Sequence, residues 1–251
     1  FLLCAAVIGR AGFVLSRSAD RIAGATGLSG GWVGLALLAT VTSLPELASG
    51  ISAVAVVGAP NLAVGNALGA CVVNLLFLAV VDALQRRQPM YAEASAAHLL
   101  AAGFGVVMLG FVGLSLLMGE RAPAPFNLGF YTPMLLALYL LALKSVYAHE
   151  QAQQSAPDAA RLRLADPVLR PEWRRFGLAA LLVLAAGSWL PGLGSQLAEA
   201  LGWSRSFVGT VFLSVVTTLP EMAVTLSALR LGALDMAIGN LLGSNLFNVT
   251  I

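Results

Sequence analysis

Apolar residues run through long stretches of this chain without alternating with polar ones, and short clusters of Gly, Pro and charged residues separate the stretches. Eight segments carry the pattern: 1–15, 31–57, 61–84, 94–118, 126–147, 176–197, 207–229 and 234–251. Most are about twenty residues long, enough to cross a hydrocarbon core of about 30 Å as a helix. A membrane barrel would alternate apolar and polar positions at period two, and these runs do not. Helices are then the remaining structure that satisfies its own backbone in lipid, so the expected fold class is an all-α polytopic membrane protein.

Composition strengthens this reading. The 251 residues are 59% hydrophobic and 10% charged, where soluble domains carry about a quarter charged residues. The net charge of +2 matters less than its distribution. With the N-terminus outside, one side of the membrane receives Arg17, Arg21, Arg86, Arg87, Lys144, Arg161, Arg163, Arg170, Arg174, Arg175 and Arg230, and the other only Arg121 and Arg205. Cytoplasmic loops are enriched in cations, so this asymmetry sets the orientation. Arg10 falls inside the first segment and fits neither side. No basic stripe suggests nucleic acid, and Cys4 and Cys71 lack the spacing of a disulfide framework or a zinc site.

The sequence also repeats itself. Thr42-Ser43-Leu44-Pro45-Glu46 returns as Thr217-Thr218-Leu219-Pro220-Glu221, and Gly65-Asn66-Ala67-Leu68-Gly69 returns as Gly239-Asn240-Leu241-Leu242-Gly243. An odd number of crossings separates the copies, which gives them opposite orientation, the inverted repeat of secondary transporters. The expected division is a first five-helix repeat at 1–147, a cytoplasmic linker at 148–175 and an incomplete second repeat of three helices at 176–251. A full pair of five-helix halves leads us to expect about two further helices beyond Ile251. The linker, too short for an added sensing domain, reads as solvated, with arginines within reach of anionic head groups.

The repeated segments carry the candidate chemistry. Thr42 and Glu46 are four residues apart and share one helix face. Pro45 has no amide hydrogen to offer the carbonyl of Val41, so that oxygen is freed inside the membrane. Hydroxyls, carbonyls and carboxylates are hard oxygen donors, the ligands Ca²⁺ and Na⁺ prefer. A buried carboxylate costs at least about 2.5 to 3.5 kcal/mol on insertion scales, and no intramembrane Lys or Arg is an evident partner for Glu46 or Glu221. Two facing copies supply two carboxylates for one divalent ion, so Glu46 and Glu221 are the expected metal ligands. Asn66, Ala70 and Asn74 make a stripe at four-residue spacing, as do Asn240, Ser244 and Asn248. Each feature has a plainer reading: prolines as packing kinks, asparagines as interhelical hydrogen-bond partners and glycines as close-packing positions.

These residues resemble the cation/calcium exchanger superfamily, whose paired repeats carry a Gly-Thr-Ser-x-Pro-Glu helix followed by a Gly-Asn-x-x-Gly-Ser-Asn-x-x-Asn/Asp helix. Here they read Val-Thr-Ser-Leu-Pro-Glu (41–46) and Gly-Asn-Ala-Leu-Gly-Ala-Cys-Val-Val-Asn (65–74), then Val-Thr-Thr-Leu-Pro-Glu (216–221) and Gly-Asn-Leu-Leu-Gly-Ser-Asn-Leu-Phe-Asn (239–248). The resemblance implies a ten-helix exchanger of the bacterial and archaeal type that swaps Ca²⁺ for Na⁺ by alternating access. It places Thr42, Ser43, Glu46, Asn74, Thr217, Thr218, Glu221, Ser244 and Asn248 at the ion site, and implies that the first and sixth helices slide as the gate. Val41 and Val216 depart from the family glycine, and Ala70 and Cys71 from its Ser-Asn pair.

The function expected is a secondary cation antiporter in a bacterial plasma membrane, without enzymatic chemistry or cofactor, with Ca²⁺ and Na⁺ or H⁺ as cargo and lipid as surroundings. The alternatives are exchange of Ca²⁺ against H⁺ or of another divalent cation. A membrane assembly or regulatory subunit that no longer transports is the alternative of another class.

Overall fold

The structure is a computed structural model that describes residues 2–26, 32–84, 90–118, 129, 131–153 and 167–251. Among these residues eight long helices are present. We label them α1 (Leu2–Thr26), α2 (Val33–Ala55), α3 (Pro60–Leu84), α4 (Ala97–Met118), α5 (Tyr131–Gln153), α6 (Arg170–Leu201), α7 (Arg205–Arg230) and α8 (Leu234–Asn248). Seven are long and apolar enough to span a bilayer, and α8, with 15 residues, is the shorter exception. Of the cations that set the expected orientation, Arg86, Arg87, Arg121, Arg161 and Arg163 lie outside the described residues.

The burial pattern is that of a protein dissolved in lipid. Leu99, Leu117 and Trp189 are 76%, 86% and 73% exposed, while Thr42, Ser43, Glu46, Asn74, Thr217, Glu221 and Ser244 are buried. Exposed leucines carry no penalty in hydrocarbon, whereas every polar group must find a partner inside the bundle. The polar core therefore marks the interior, and the chain is an integral membrane protein.

Three helices of each half pack as a pseudo-twofold set. α1 lies against α6; α1 also packs on the second half of α7, as α6 does on the second half of α2. The first half of α2 packs on α8, as the first half of α7 does on α3. α4 and α5 form a hairpin whose helix α4 leans on α8. Glycines permit the closest approaches. A Cβ on Gly12 would lie 2.6 Å from the Cα of Pro220, and one on Gly187 would lie 2.7 Å from the Cα of Pro45. Gly69 meets Thr210 and Ser214 as Gly243 meets Leu35 and Ala39.

Several helices run past the apolar windows that predicted them. α1 continues to Thr26 rather than stopping near Leu15, and α6 starts at Arg170 rather than Phe176. The polar extensions hold each other: Arg21 Nη1 donates to Glu172 Oε1 at 2.7 Å, Ser18 Oγ to Glu172 Oε2 at 3.2 Å and Arg175 Nη1 to Glu172 Oε1 at 2.8 Å. Both arginines are more than half exposed, so each ion pair contributes at most about 1 kcal/mol. α5 reaches Gln153, so helices occupy both ends of the 148–175 stretch, and 154–166 lie outside the described residues.

Candidate functional site

α2 and α7 are broken helices. Each carries a π-helical segment in its first half, Val33–Leu38 in α2 and Gly209–Leu213 in α7, and each is interrupted by one residue. Ser43 (φ −85°, ψ 6°) and Thr218 (φ −82°, ψ 1°) occupy the bridge region between helical halves. The cause is the proline two residues later. Pro45 and Pro220 cannot donate to the preceding turn, yet they suit the first turn of a new helix, where an amide has no partner anyway. The unwinding is confined to that one residue, with Val41 and Val216 still helical before it. Glu46 and Glu221 thereby sit in the first turns of the half-helices Leu44–Ala55 and Leu219–Arg230, at the positive end of each dipole.

The broken segments face the third helix of the opposite repeat. Thr42 Oγ1 donates to Asn240 Oδ1 at 3.3 Å, and Thr217 Oγ1 donates to Asn66 Oδ1 at 3.1 Å, which is the same bond made twice about the pseudo-twofold axis. Asn66 and Asn240 pass the connection on, Asn66 Nδ2 to Ser49 Oγ at 3.3 Å and Asn240 Nδ2 to the Glu221 carbonyl at 3.3 Å. Ser244 Oγ lies 3.4 Å from Thr42 Oγ1. Asn74 Nδ2 donates to Asn245 Oδ1 at 3.1 Å, and Asn245 Nδ2 to the Cys71 carbonyl at 3.4 Å. Cys71 and Asn245 are equivalent positions of the two repeats, and residues that touch their own equivalents lie beside the axis.

The symmetry breaks at the carboxylates. Ser43 Oγ donates to Glu221 Oε1 at 3.1 Å. Its counterpart Thr218 instead turns back to its own helix, donating to the Ser214 carbonyl at 2.8 Å. Among the described residues Glu46 Oε1 and Oε2, Glu221 Oε2, Asn74 Oδ1 and both amide atoms of Asn248 are buried without a hydrogen-bond partner. The carboxyl groups of Glu46 and Glu221 lie close enough for their charges to repel. Buried polar atoms without partners are costly, and a set dominated by oxygens is matched by a cation. A cleft of about 470 Å³, lined by α2, α3 and the end of α8, reaches Asn248.

All nine residues expected at the site are buried in this central region. Eight have side chains that hydrogen-bond across repeats or carry an unpartnered polar atom, and Thr218 is the one whose hydroxyl is spent within its own helix. Asn66 and Asn240, which read equally well as interhelical partners, orient the threonines. Asn245 was missed because its equivalent, Cys71, is not an amide. Among the described residues no group of three or more His, Cys, Asp or Glu is assembled, so neutral oxygens must complete any ion shell.

Comparison with known proteins gives the same picture. The chain is 30% identical over 226 residues to the protein CaxA of Alkalimonas amylolytica, covering 86% of this chain and 66% of that protein. It is 27% identical over 223 residues to the inner membrane protein YrbG of Escherichia coli (strain K12), covering 87% and 66%. The chain thus spans 66% of the length of these curated relatives. A solved structure of the sodium-calcium exchanger NCX_Mj, soaked with Na⁺ and Sr²⁺, has the same fold, with a TM-score of 0.64 at 22% identity over 100% of this chain and 78% of that one. The family described as sodium/calcium exchanger protein matches residues 1–152 and 173–251, a family of exchangers rather than enzymes. With two Pro-Glu half-helices linked through Ser43 and Glu221 inside an inverted-repeat fold, the chain belongs to the sodium/calcium exchanger protein family.

Proposed function

We propose that this chain forms the ion-binding part of a secondary antiporter that exchanges Ca²⁺ for Na⁺ at one central site. The observation that carries the reading is the pair of buried carboxylates, Glu46 and Glu221, which carry free oxygens, as do the buried amides of Asn74 and Asn248, and which have no salt bridge among the described residues. The two carboxylates match the charge of one Ca²⁺. The hydroxyls of Thr42, Ser43, Thr217 and Ser244, the amides of Asn74 and Asn248 and the Thr218 backbone supply neutral oxygens toward the six to eight that Ca²⁺ takes. Na⁺ would use subsets of the same oxygens, so the two ions compete and exchange is coupled. Residues 1–147 act as the first repeat, 148–175 as the cytoplasmic linker and 176–251 as the part of the second repeat present here. The cation distribution favours an N-terminus outside, and the compact build with short loops favours a bacterial plasma membrane.

The glycine contacts support a sliding gate. α1 touches the Pro-Glu half-helix of α7 through Gly12, and α6 touches that of α2 through Gly187, backbone against backbone at both points. Smooth contacts of this kind let α1 and α6 shift past the site.

The test is ⁴⁵Ca²⁺ uptake by proteoliposomes of the full-length protein under an imposed Na⁺ gradient or an imposed pH gradient, at fixed voltage. Uptake driven by Na⁺ alone is the expected result. Uptake driven only by pH would transfer the protein to proton coupling, with the carboxyl group of Glu46, free of hydrogen-bond partners, as the carrier. Absence of uptake under both gradients would overturn Ca²⁺ as cargo.

A further inference from the structure

Arg10 and Arg17 are used by neither the fold nor the proposed site. They are seven residues apart on α1 and share a face, about 10 Å apart along the axis. Both are exposed, and among the described residues neither has an ion pair or hydrogen bond. With Val14 between them, they line one wall of a groove of about 670 Å³ whose other wall is Arg175, Leu178 and Leu182 of α6. Each wall places its cations and apolar residues at i, i+3, i+4 and i+7 spacing, so the groove is both basic and greasy along its length.

The repeat shows that these cations are not demanded by helix packing. Gly12 and Gly187 make the same contact with the opposite Pro-Glu motif, which fixes the register of α1 on α6. In that register the positions equivalent to Arg10 and Arg17 are Ala185 and Gly192. A charged side chain on an apolar helix such as α1 otherwise requires a partner or a route to the interface. Of the nearby acids, Glu172 is already shared by Arg21, Arg175 and Ser18, and Asp20, one turn on from Arg17, forms no ion pair among the described residues, so three arginines of the groove stand against these two acids.

We infer that the groove between α1 and α6 binds an anionic phospholipid, its phosphate held by Arg17 and Arg175, its glycerol region by Arg10 and an acyl chain along Val14, Leu178 and Leu182. Arginine forks match phosphate oxygens bidentately. Basic pockets between membrane helices on the cation-rich side are suited to phospholipid head groups. A lipid is chosen over a free anion because the walls between the cations are apolar. The site lies on the two helices proposed to slide, so a bound lipid would bridge them from outside, but binding itself does not rest on the ion reading.

The experiment is native mass spectrometry of the detergent-purified full-length protein, titrated with phosphatidylglycerol or phosphatidylcholine, with and without inorganic phosphate. Phosphatidylglycerol should be retained and phosphatidylcholine should not. The double substitution Arg10→Gln, Arg17→Gln should weaken retention roughly 25-fold, about fivefold for each arginine, while Arg230→Gln, outside the groove, should leave it unchanged. Equal retention of the two lipids by the wild type would overturn the proposal, and this comparison decides even if the double variant does not fold. So would undiminished phosphatidylglycerol binding by a folded double variant, and displacement of the lipid by millimolar phosphate would make the groove a site for the free anion instead. Because the readout is mass rather than transport, a protein that binds phosphatidylglycerol and moves no Ca²⁺ would leave this inference intact.

Discussion

A methyl group added at Gly187 tests how closely the gate helices touch the ion site. In the structure the new carbon would stand 2.7 Å from Pro45 Cα, 3.0 Å from Pro45 O and 3.1 Å from Pro45 Cβ. Carbon atoms prefer about 3.5 to 4.0 Å. Backbone cannot rotate aside as a side chain can, so α6 and α2 must separate by about 1 Å, at the residue just before Glu46. Overpacking of this kind costs about 1 to 3 kcal/mol. Gly12→Ala should behave likewise, because its methyl would stand 2.6 Å from Pro220 Cα. The same helices contain the controls: at Gly9 on α1 and Gly192 on α6 an added Cβ would have nothing within 4 Å, and alanine there should be neutral or gain up to about 1 kcal/mol of helix propensity. Thermal unfolding of the purified full-length protein and Na⁺-driven ⁴⁵Ca²⁺ uptake are measured for all four variants. Gly12→Ala and Gly187→Ala should melt several degrees lower and transport at least about fivefold more slowly, as a cost of about 1 kcal/mol felt at the moving helices implies, with Gly9→Ala and Gly192→Ala near wild type. If all four melt and transport alike, the close approach of α1 and α6 to the Pro-Glu half-helices is wrong.

Three further outcomes follow from the site. Glu46→Gln and Glu221→Gln should each abolish divalent transport while the protein still folds, and Ser43→Ala should weaken it less, since a single neutral ligand oxygen is lost and its removal also frees Glu221 Oε1 for the ion; wild-type uptake in either glutamine variant would remove that carboxylate from the site. Thr42→Val or Thr217→Val strips the donor from a buried asparagine oxygen and should lower stability by about 1 to 3 kcal/mol in thermal unfolding, with the smaller loss at Thr42, whose hydroxyl lies nearer its own Leu38 carbonyl (2.9 Å) than Asn240 (3.3 Å). Glu172→Gln removes the charge shared by Arg21 and Arg175, both largely exposed, and should lower stability by no more than about 2 kcal/mol at low salt, about 1 for each pair, an effect that shrinks in high salt.

Much of the fold was legible because lipid enforces a simple code: continuous apolar runs of spanning length became α2 to α7 with small shifts at their ends. The break in α2 and α7 was legible from Pro45 and Pro220, since a missing amide hydrogen acts locally. The end of α1 was not, because the helix past Leu15 is secured by Glu172, more than 150 residues away in sequence. Gly12 and Gly187 gave no local pattern either; they become visible only when α1 and α6 are aligned in the register that superposes the two Pro-Glu motifs. The candidate ion ligands were read from the repeat itself, whereas Asn245 escaped because its equivalent is Cys71 and the repeat there offers no agreement.

The departures from symmetry say more about the site than the symmetry does. The bonds from Thr42 to Asn240 and from Thr217 to Asn66 are duplicated and fix the two half-helices against the opposite repeat. The bond from Ser43 to Glu221 is not duplicated, because Thr218 carries an extra methyl and its hydroxyl bonds back to the preceding turn. Glu221 is thus held by a donor while both oxygens of Glu46 are bare. In the proposed site an arriving cation would replace nothing at Glu46 and would have to compete with the Ser43 hydroxyl at Glu221. Thr218→Ser removes the methyl and should let the hydroxyl reach Glu46, making the two carboxylates alike. Divalent affinity measured by calorimetry should then fall modestly, as a donor opposes the ion at both acids, and an unchanged affinity would mean that the asymmetry at Ser43 and Thr218 has no part in ion capture.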